Sequence, residues 1–166
     1  MAQLSFLGVP LHEGAAEFGT IMGPDALRAA GLMSNLDQLG HHIRDLGDLK
    51  RAGCTDASHK TNGAVRNLSA VRAWIRAIID GSSHFEDNEV PIYGGGDHAL
   101  SAGSLHAMAQ RAETQNRPLF VLWLDAHPDF HSLESTTSGN LHGTPMAYLT
   151  GEKGFEGVFP TMEHPI

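Results

Sequence analysis

Cysteine is almost absent from this chain: Cys54 is the single thiol among 166 residues. An internal disulfide and a cysteine-built zinc site are thereby excluded. One thiol fits a reducing compartment. Basic charge is also scarce. Eleven Lys and Arg face nineteen Asp and Glu, which leaves a net charge of −8 and a pI of about 5.7. Nucleic acid and anionic membrane surfaces both select a basic face, so neither is an expected partner. A cationic substrate stays compatible with this balance. No apolar run is long enough to cross a bilayer. The stretch from Met1 to Pro10 lacks a basic n-region and reads as a first strand, not as a signal peptide. The expected location is cytoplasmic. There is no G-x-S-x-G nucleophile elbow and no Walker phosphate loop.

What is present is the composition of a globular domain, 41% hydrophobic and 18% charged. The length suffices for one domain with a sizeable core. Strands are expected at residues 3–9, 43–46, 90–93 and 119–124. Helices are expected at 24–40, where Pro24-Asp25 suits a first turn, and at 64–79, 100–115 and from Met146 onward. Strands alternating with helices predict a parallel sheet covered on both faces, an α/β three-layer fold. The long glycine-rich stretch 10–23 is a candidate functional loop. Residues 154–166 show no clear element.

The chemistry concentrates where the fourth apolar run ends, in Asp125-Ala126-His127-Pro128-Asp129. Alternate side chains of an extended segment point to one side. Three potential metal ligands would therefore converge past a strand end, where open α/β sheets place ligands. Upstream, Gly94-Gly95-Gly96-Asp97-His98 follows another strand and offers His98 as a fourth ligand. Carboxylates mixed with imidazole, without thiolate, suit manganese or magnesium better than structural zinc. Two aspartates can also bridge a pair of ions. The plain alternative is that these acids cap a helix or lie solvated on a loop.

Gly94, Gly96 and Ala99 also match a G-x-G-x-x-A dinucleotide pattern. It falls on the third strand, and no acid ends a strand about 20 residues later. His142 stands on a glycine-flanked loop and is a candidate proton shuttle, since imidazole suits proton transfer near neutral pH. Thr136, Ser138 and Asn140 supply neutral groups suited to a substrate carboxylate. As ordinary residues they would form turns. His12, His41, His42, His59, His84, His106 and His164 are read as surface histidines.

Together these segments resemble the ureohydrolase family and, within it, the arginases. The resemblance rests on Gly23-Pro24-Asp25-Ala26-Leu27-Arg28-Ala29-Ala30-Gly31-Leu32, on Gly95-Gly96-Asp97-His98-Ala99-Leu100, and on Asp125-Ala126-His127-Pro128-Asp129. Its most specific part is Thr136-Thr137-Ser138-Gly139-Asn140-Leu141-His142-Gly143-Thr144-Pro145, similar to the segment that separates arginases from agmatinases and formimidoylglutamases. It implies manganese-dependent hydrolysis of L-arginine to L-ornithine and urea. It also implies a two-manganese centre held by His98, Asp125, His127 and Asp129, with Asp125 bridging. His142 would relay protons to the leaving amine. Thr136, Ser138 and Asn140 would hold the α-carboxylate, and His131 stands where arginases usually carry an asparagine touching that group. The family continues further, with two more metal-binding aspartates, whereas here no aspartate follows Asp129. Residues 1–150 are thus expected to be the N-terminal part of one catalytic domain, apparently truncated, with 151–166 a tail. A homo-oligomer is expected for the complete protein, and weak or no activity for this chain.

Overall fold

A computed structural model of the protein describes residues 1–15, 17–53 and 65–166. Its centre is strand β1 (Gln3–Val9), which is buried from Leu4 onward. β1 pairs in parallel with β2 (His42–Asp48) on one edge and with β3 (Glu89–Gly95) on the other, giving the order β2-β1-β3. The chain steps from β1 to β2, then back across β1 to β3. Right-handed crossovers place successive connections on opposite faces when the direction reverses.

Helices α1 (Gly23–Ala29) and α2 (Leu32–Gln38) take one face. There the Arg28 guanidinium lies 5.0 Å above the Phe6 ring and reaches Asp45 and Asp48 of β2. Helices α3 (Leu68–Gly81) and α4 (Leu100–Thr114) pack together on the other face. Val9, Val71, Ile75, Ile78 and Ala102 form the core of that layer. Tyr93 closes it, its hydroxyl 2.7 Å from Ser82 Oγ and its pKa pushed up to about 12 by burial.

The α/β parallel sheet is as expected, and three of the four expected strands form. One expected helix divides. Residues 24–40 break at Gly31, whose φ of 83° is left-handed and ends α1 with a bond from its N–H to Arg28 O. The predicted apolar stripe there is not buried: Leu27 and Leu39 are exposed. α3 begins at Leu68, after Asn67 in a left-handed conformation, while the first residue expected for it, Ala64, lies outside the described residues. Cys54 and His59 lie outside them as well.

The predicted fourth strand is not formed. Residues 117–124 make no ladder, and Phe120, Leu122 and Leu124 are 88%, 81% and 86% exposed. A run apolar on both faces needs paired neighbours and a layer on each side. Among the described residues the sheet ends at β3, and nothing supplies either.

α5 (Pro145–Leu149) follows the polar loop. After it there is no helix or strand, yet the tail is anchored. Phe155 and Phe159 are buried against Tyr148, whose hydroxyl donates to Pro160 O at 2.7 Å. Each buried ring contributes roughly 2 kcal/mol by apolar area. Ile166 N–H closes on Leu149 O at 3.0 Å.

Two predictions follow from this packing. Arg44 of β2 and Glu89 of β3 meet across β1 at 2.7 Å and hold the Glu89 carboxyl down at about 2 from 4.5. A depressed carboxylate contributes stability above its unfolded pKa and loses it as pH falls toward the folded value. Glu89→Gln should therefore lower the melting temperature by a few degrees at neutral pH. The gap should close between about pH 4.5 and pH 2 in thermal melts followed by circular dichroism. The second prediction concerns the bare apolar segment, which should drive self-association. Leu122→Lys with Leu124→Lys should reduce light scattering on concentration without lowering the melting temperature, because neither side chain is packed.

Candidate metal centre

β1 and β3 end together, and the site is built just beyond their carboxyl ends. Past β1 the chain does not leave the sheet at once: Leu11 O accepts the Asp97 N–H at 2.8 Å, and Val9 O accepts the Gly96 N–H at 3.1 Å. The glycines of 94–96 exist for this close approach. A Cβ at Gly94 would collide with the Phe6 ring, and one at Gly96 with the Leu11 backbone. The Gly96 and Asp97 N–H groups, which a pyrophosphate at such a turn would need, are already given to Val9 O and Leu11 O, and this argues against the dinucleotide reading.

His98 follows this turn and begins the approach to α4. Its Nδ1 lies 2.8 Å from Asp125 Oδ2 and 3.0 Å from Asp129 Oδ2. One atom from each of these three residues lies within 4.8 Å of the others. Sequence separation here is about thirty residues, so the cluster is made by the fold. Asp129 adopts a φ of 45°, a left-handed conformation costly for a residue with a side chain. Its Oδ2 is buried and accepts no hydrogen bond. Burial pushes the Asp129 carboxyl up, His98 opposes this, and the Asp125 charge adds to it. The His127 N–H, donating to Asp125 Oδ1 at 2.8 Å, holds the Asp125 carboxyl below its ordinary range. A buried acid, a second acid and one imidazole nitrogen facing one another are donors of the kind that suit a divalent cation.

His127 is not part of the triad. The chain bends through residues 125–127 and is not extended, so the alternation expected of a strand does not bring all three ligands to one side. The His127 ring is 80% exposed, with its Nδ1 3.6 Å from Asp125 Oδ1. Trp123 was not singled out by sequence, yet it stacks on His98 at 4.8 Å and 16°, and its indole N–H donates to His127 O. An aromatic two residues before the first aspartate was the available signal.

The polar loop folds back over this region. Asp129 O accepts the Met146 N–H, and Gly143 O accepts the His131 N–H, both at 3.0 Å. His142 lies on a short 3-10 turn (Leu141–Gly143), and its N–H donates to Gly14 O at 3.2 Å. His131 Nδ1 is 3.4 Å from Ser135 Oγ. Thr136 is buried, Ser138 is exposed with its Oγ accepting the Asn140 N–H, and Asn140 keeps a buried Oδ1 without a partner. Arg66 N–H holds the loop through Gly139 O at 2.9 Å, and the adjacent Asn67 Nδ2 donates to Glu13 O, in the stretch after β1, at 3.0 Å. Glu13 is itself buried and accepts from the Trp74 indole and from Arg51. Glu13 lies in the glycine-rich stretch 10–23 that the sequence offers as a candidate functional loop, whereas Arg66, Asn67 and Trp74 carry no such mark.

The fold and the cluster define an α/β protein with a carboxylate–imidazole group, a candidate metal-ligand set, just beyond the carboxyl end of its parallel sheet. The Arginase family model matches residues 2–159, and the chain belongs to that family. It is 50% identical over 160 residues to an arginase of Brucella melitensis, covering 96% of this chain and 52% of that protein. It is 46% identical over 155 residues to an arginase of Agrobacterium fabrum, covering 93% and 48%. Among solved structures, Bacillus caldovelox arginase matches with a TM-score of 0.78 at 34% identity, over 91% of this chain and 50% of that one. An Entamoeba histolytica arginase in complex with L-ornithine matches with a TM-score of 0.79 at 27% identity, over 100% and 56%. The chain spans about half the length of the curated relatives it matches.

The cluster predicts a measurable affinity for a divalent cation. Electron paramagnetic resonance titration should show weak Mn²⁺ binding, weakened further by about tenfold or more in Asp125→Asn. Equal binding by both proteins would remove Asp125 from the site.

Proposed function

We propose that this chain carries the first half of the metal centre of an enzyme that hydrolyses L-arginine to L-ornithine and urea. The observation that supports this best is the His98, Asp125 and Asp129 cluster in a chain of the Arginase family. His98, Asp125, His127 and Asp129 would hold manganese, two ions in a complete centre, with Asp125 between them. The oxygen-rich set without thiolate favours that ion. A cation bound here would supply Lewis acidity and lower the pKa of water at the reacting carbon.

The chain's own groups do the rest. His142, fixed by its N–H to Gly14 O, would carry a proton to the departing amine. Thr136, Ser138 and Asn140 would orient the substrate through its α-carboxylate, with His131 beside them. The partner is then a small cationic molecule, as the acidic balance allows, and neither nucleic acid nor membrane. No helix among the described residues is long and apolar enough to cross a bilayer. Residues 1–150 would be the N-terminal part of a single catalytic domain, with 151–166 a tail on it. A cytoplasmic location suits a single-thiol chain, and the whole protein would be a homo-oligomer.

A second reading has its own support. No aspartate follows Asp129, and among the described residues three ligands converge, so these 166 residues alone would bind metal with little or no turnover. A guanidino compound lacking the carboxylate, such as agmatine, is the enzymatic rival.

Urea release measured with added Mn²⁺ separates these readings. Arginine should be turned over slowly and agmatine more slowly still, because polar groups left unpaired by the smaller substrate cost heavily in discrimination. Asn140→Ala should raise the Michaelis constant for arginine with little change for agmatine. Faster release from agmatine would overturn the arginine reading. Mn²⁺ binding with no release from either substrate would leave a metal-binding module.

A further inference from the structure

We propose that Asp97 is a positioning residue that sets His98 and His142 together through one buried carboxylate. The inference rests on the metal reading above for its consequence, and on its own geometry for its mechanism. Asp97 is 5% exposed. Its Oδ2 accepts the N–H groups of Gly14 and Ala15 at 2.8 and 3.0 Å. Its Oδ1 accepts the N–H of Ala99 at 2.9 Å.

The Ala99 bond is an ordinary start to a helix. The other two bonds are not local. They reach a loop more than eighty positions earlier in sequence, and that loop passes the constraint on. Gly14 O accepts the His142 N–H at 3.2 Å. His98 lies between the two backbone units that Asp97 fixes, its own and that of Ala99. One carboxylate therefore holds the candidate metal ligand on one side and the candidate proton shuttle on the other.

The chemistry requires an acid at this position. Three N–H donors converge from two directions, and only a carboxylate presents two accepting oxygens. An asparagine would turn an NH₂ group toward one set of N–H groups and lose it. The loop side requires glycine. A Cβ on Gly14 would lie 2.5 Å from both Asp97 Oδ1 and Ala99 Cβ, too close to keep the contact.

The test uses the whole chain, with Mn²⁺ as the probe and histidine ring signals in nuclear magnetic resonance as the second readout. Asp97→Asn should weaken Mn²⁺ binding by about 10- to 100-fold, as loss of a group supporting a ligand typically does. In the metal-free protein it should move the ring resonances of both His98 and His142. Gly14→Ala presses on Asp97 Oδ1 and on Ala99 Cβ from the loop side, and it should also move both His98 and His142. A purely structural role would lower the melting temperature and leave these patterns unchanged.

Mn²⁺ affinity within about twofold of wild type in a folded Asp97→Asn, or an unmoved His142, would overturn the proposal. Should both variants fail to fold, the wild-type chain decides. Its Gly14, Ala15 and Ala99 amides should exchange slowly as one set, and rapid exchange at Gly14 and Ala15 would overturn the clamp. Absence of Mn²⁺ binding by wild type would count against the metal reading alone, since the two-histidine response is read without metal.

Discussion

Pairing of β1 on both edges holds the rest of this molecule in place. β1 is buried along nearly its whole length, and a buried backbone must satisfy every N–H and C=O. Parallel neighbours on each side do this, and they fix where β1 and β3 end. Beyond that end the backbone contacts continue, from Val9 to Gly96 and from Leu11 to Asp97. The turn carrying His98 is an extension of the sheet, and its position is therefore as well determined as the strands themselves. Glycines at 94 and 96 are the steric condition for that closeness.

Electrostatics then decides what the site can hold. Two carboxylates and one imidazole nitrogen face each other. Bringing the Asp125 and Asp129 carboxylates together is costly, and His98 Nδ1, 3.0 Å from the buried Asp129 Oδ2, offsets part of that cost. The strained backbone at Asp129 adds to that cost. Such an arrangement persists when the surroundings impose it. Here Met146 N–H holds the Asp129 carbonyl and Trp123 stacks against His98.

The legible part of the sequence was the part with local causes. β1 could be bounded to the residue, because an apolar run between a chain start and a proline has one reading. α4 came within a residue for the same reason: glycines precede it and polar residues end it. Of the four candidate ligands His98, Asp125, His127 and Asp129, the fold brings His98, Asp125 and Asp129 together, although the strand expected before Asp125 does not form. What was not legible depended on partners distant in sequence. Residues 119–124 have the composition of a central strand, but composition does not supply the neighbours that a ladder needs. Gly31 divides a helix because of one left-handed residue within a continuous apolar pattern. Asp97, Trp123 and Glu13 carry no signature of their own, since each acts through a contact that only the fold creates. Phe155 and Phe159 lie in a stretch whose sequence shows no clear element, and their burial depends on Tyr148.

The two sides of the metal cluster are unequal in how firmly they are held. His98 comes from a turn stitched to β1 and clamped by a buried acid. Asp125 comes from a stretch whose preceding residues are unpaired and whose apolar side chains face solvent. Asp129 lies between these extremes, tied to α5 through its carbonyl. A cation binding at this point would join a rigid half-site to a loosely held one. Part of its binding free energy would then be spent ordering residues 119–129, which lowers apparent affinity and couples binding to folding. The same coupling would run in reverse: strands that paired with 119–124 would preorganise Asp125 and raise metal affinity without touching a ligand. The sheet edge and the metal site are in this sense one structural problem, joined at Leu124 and Asp125.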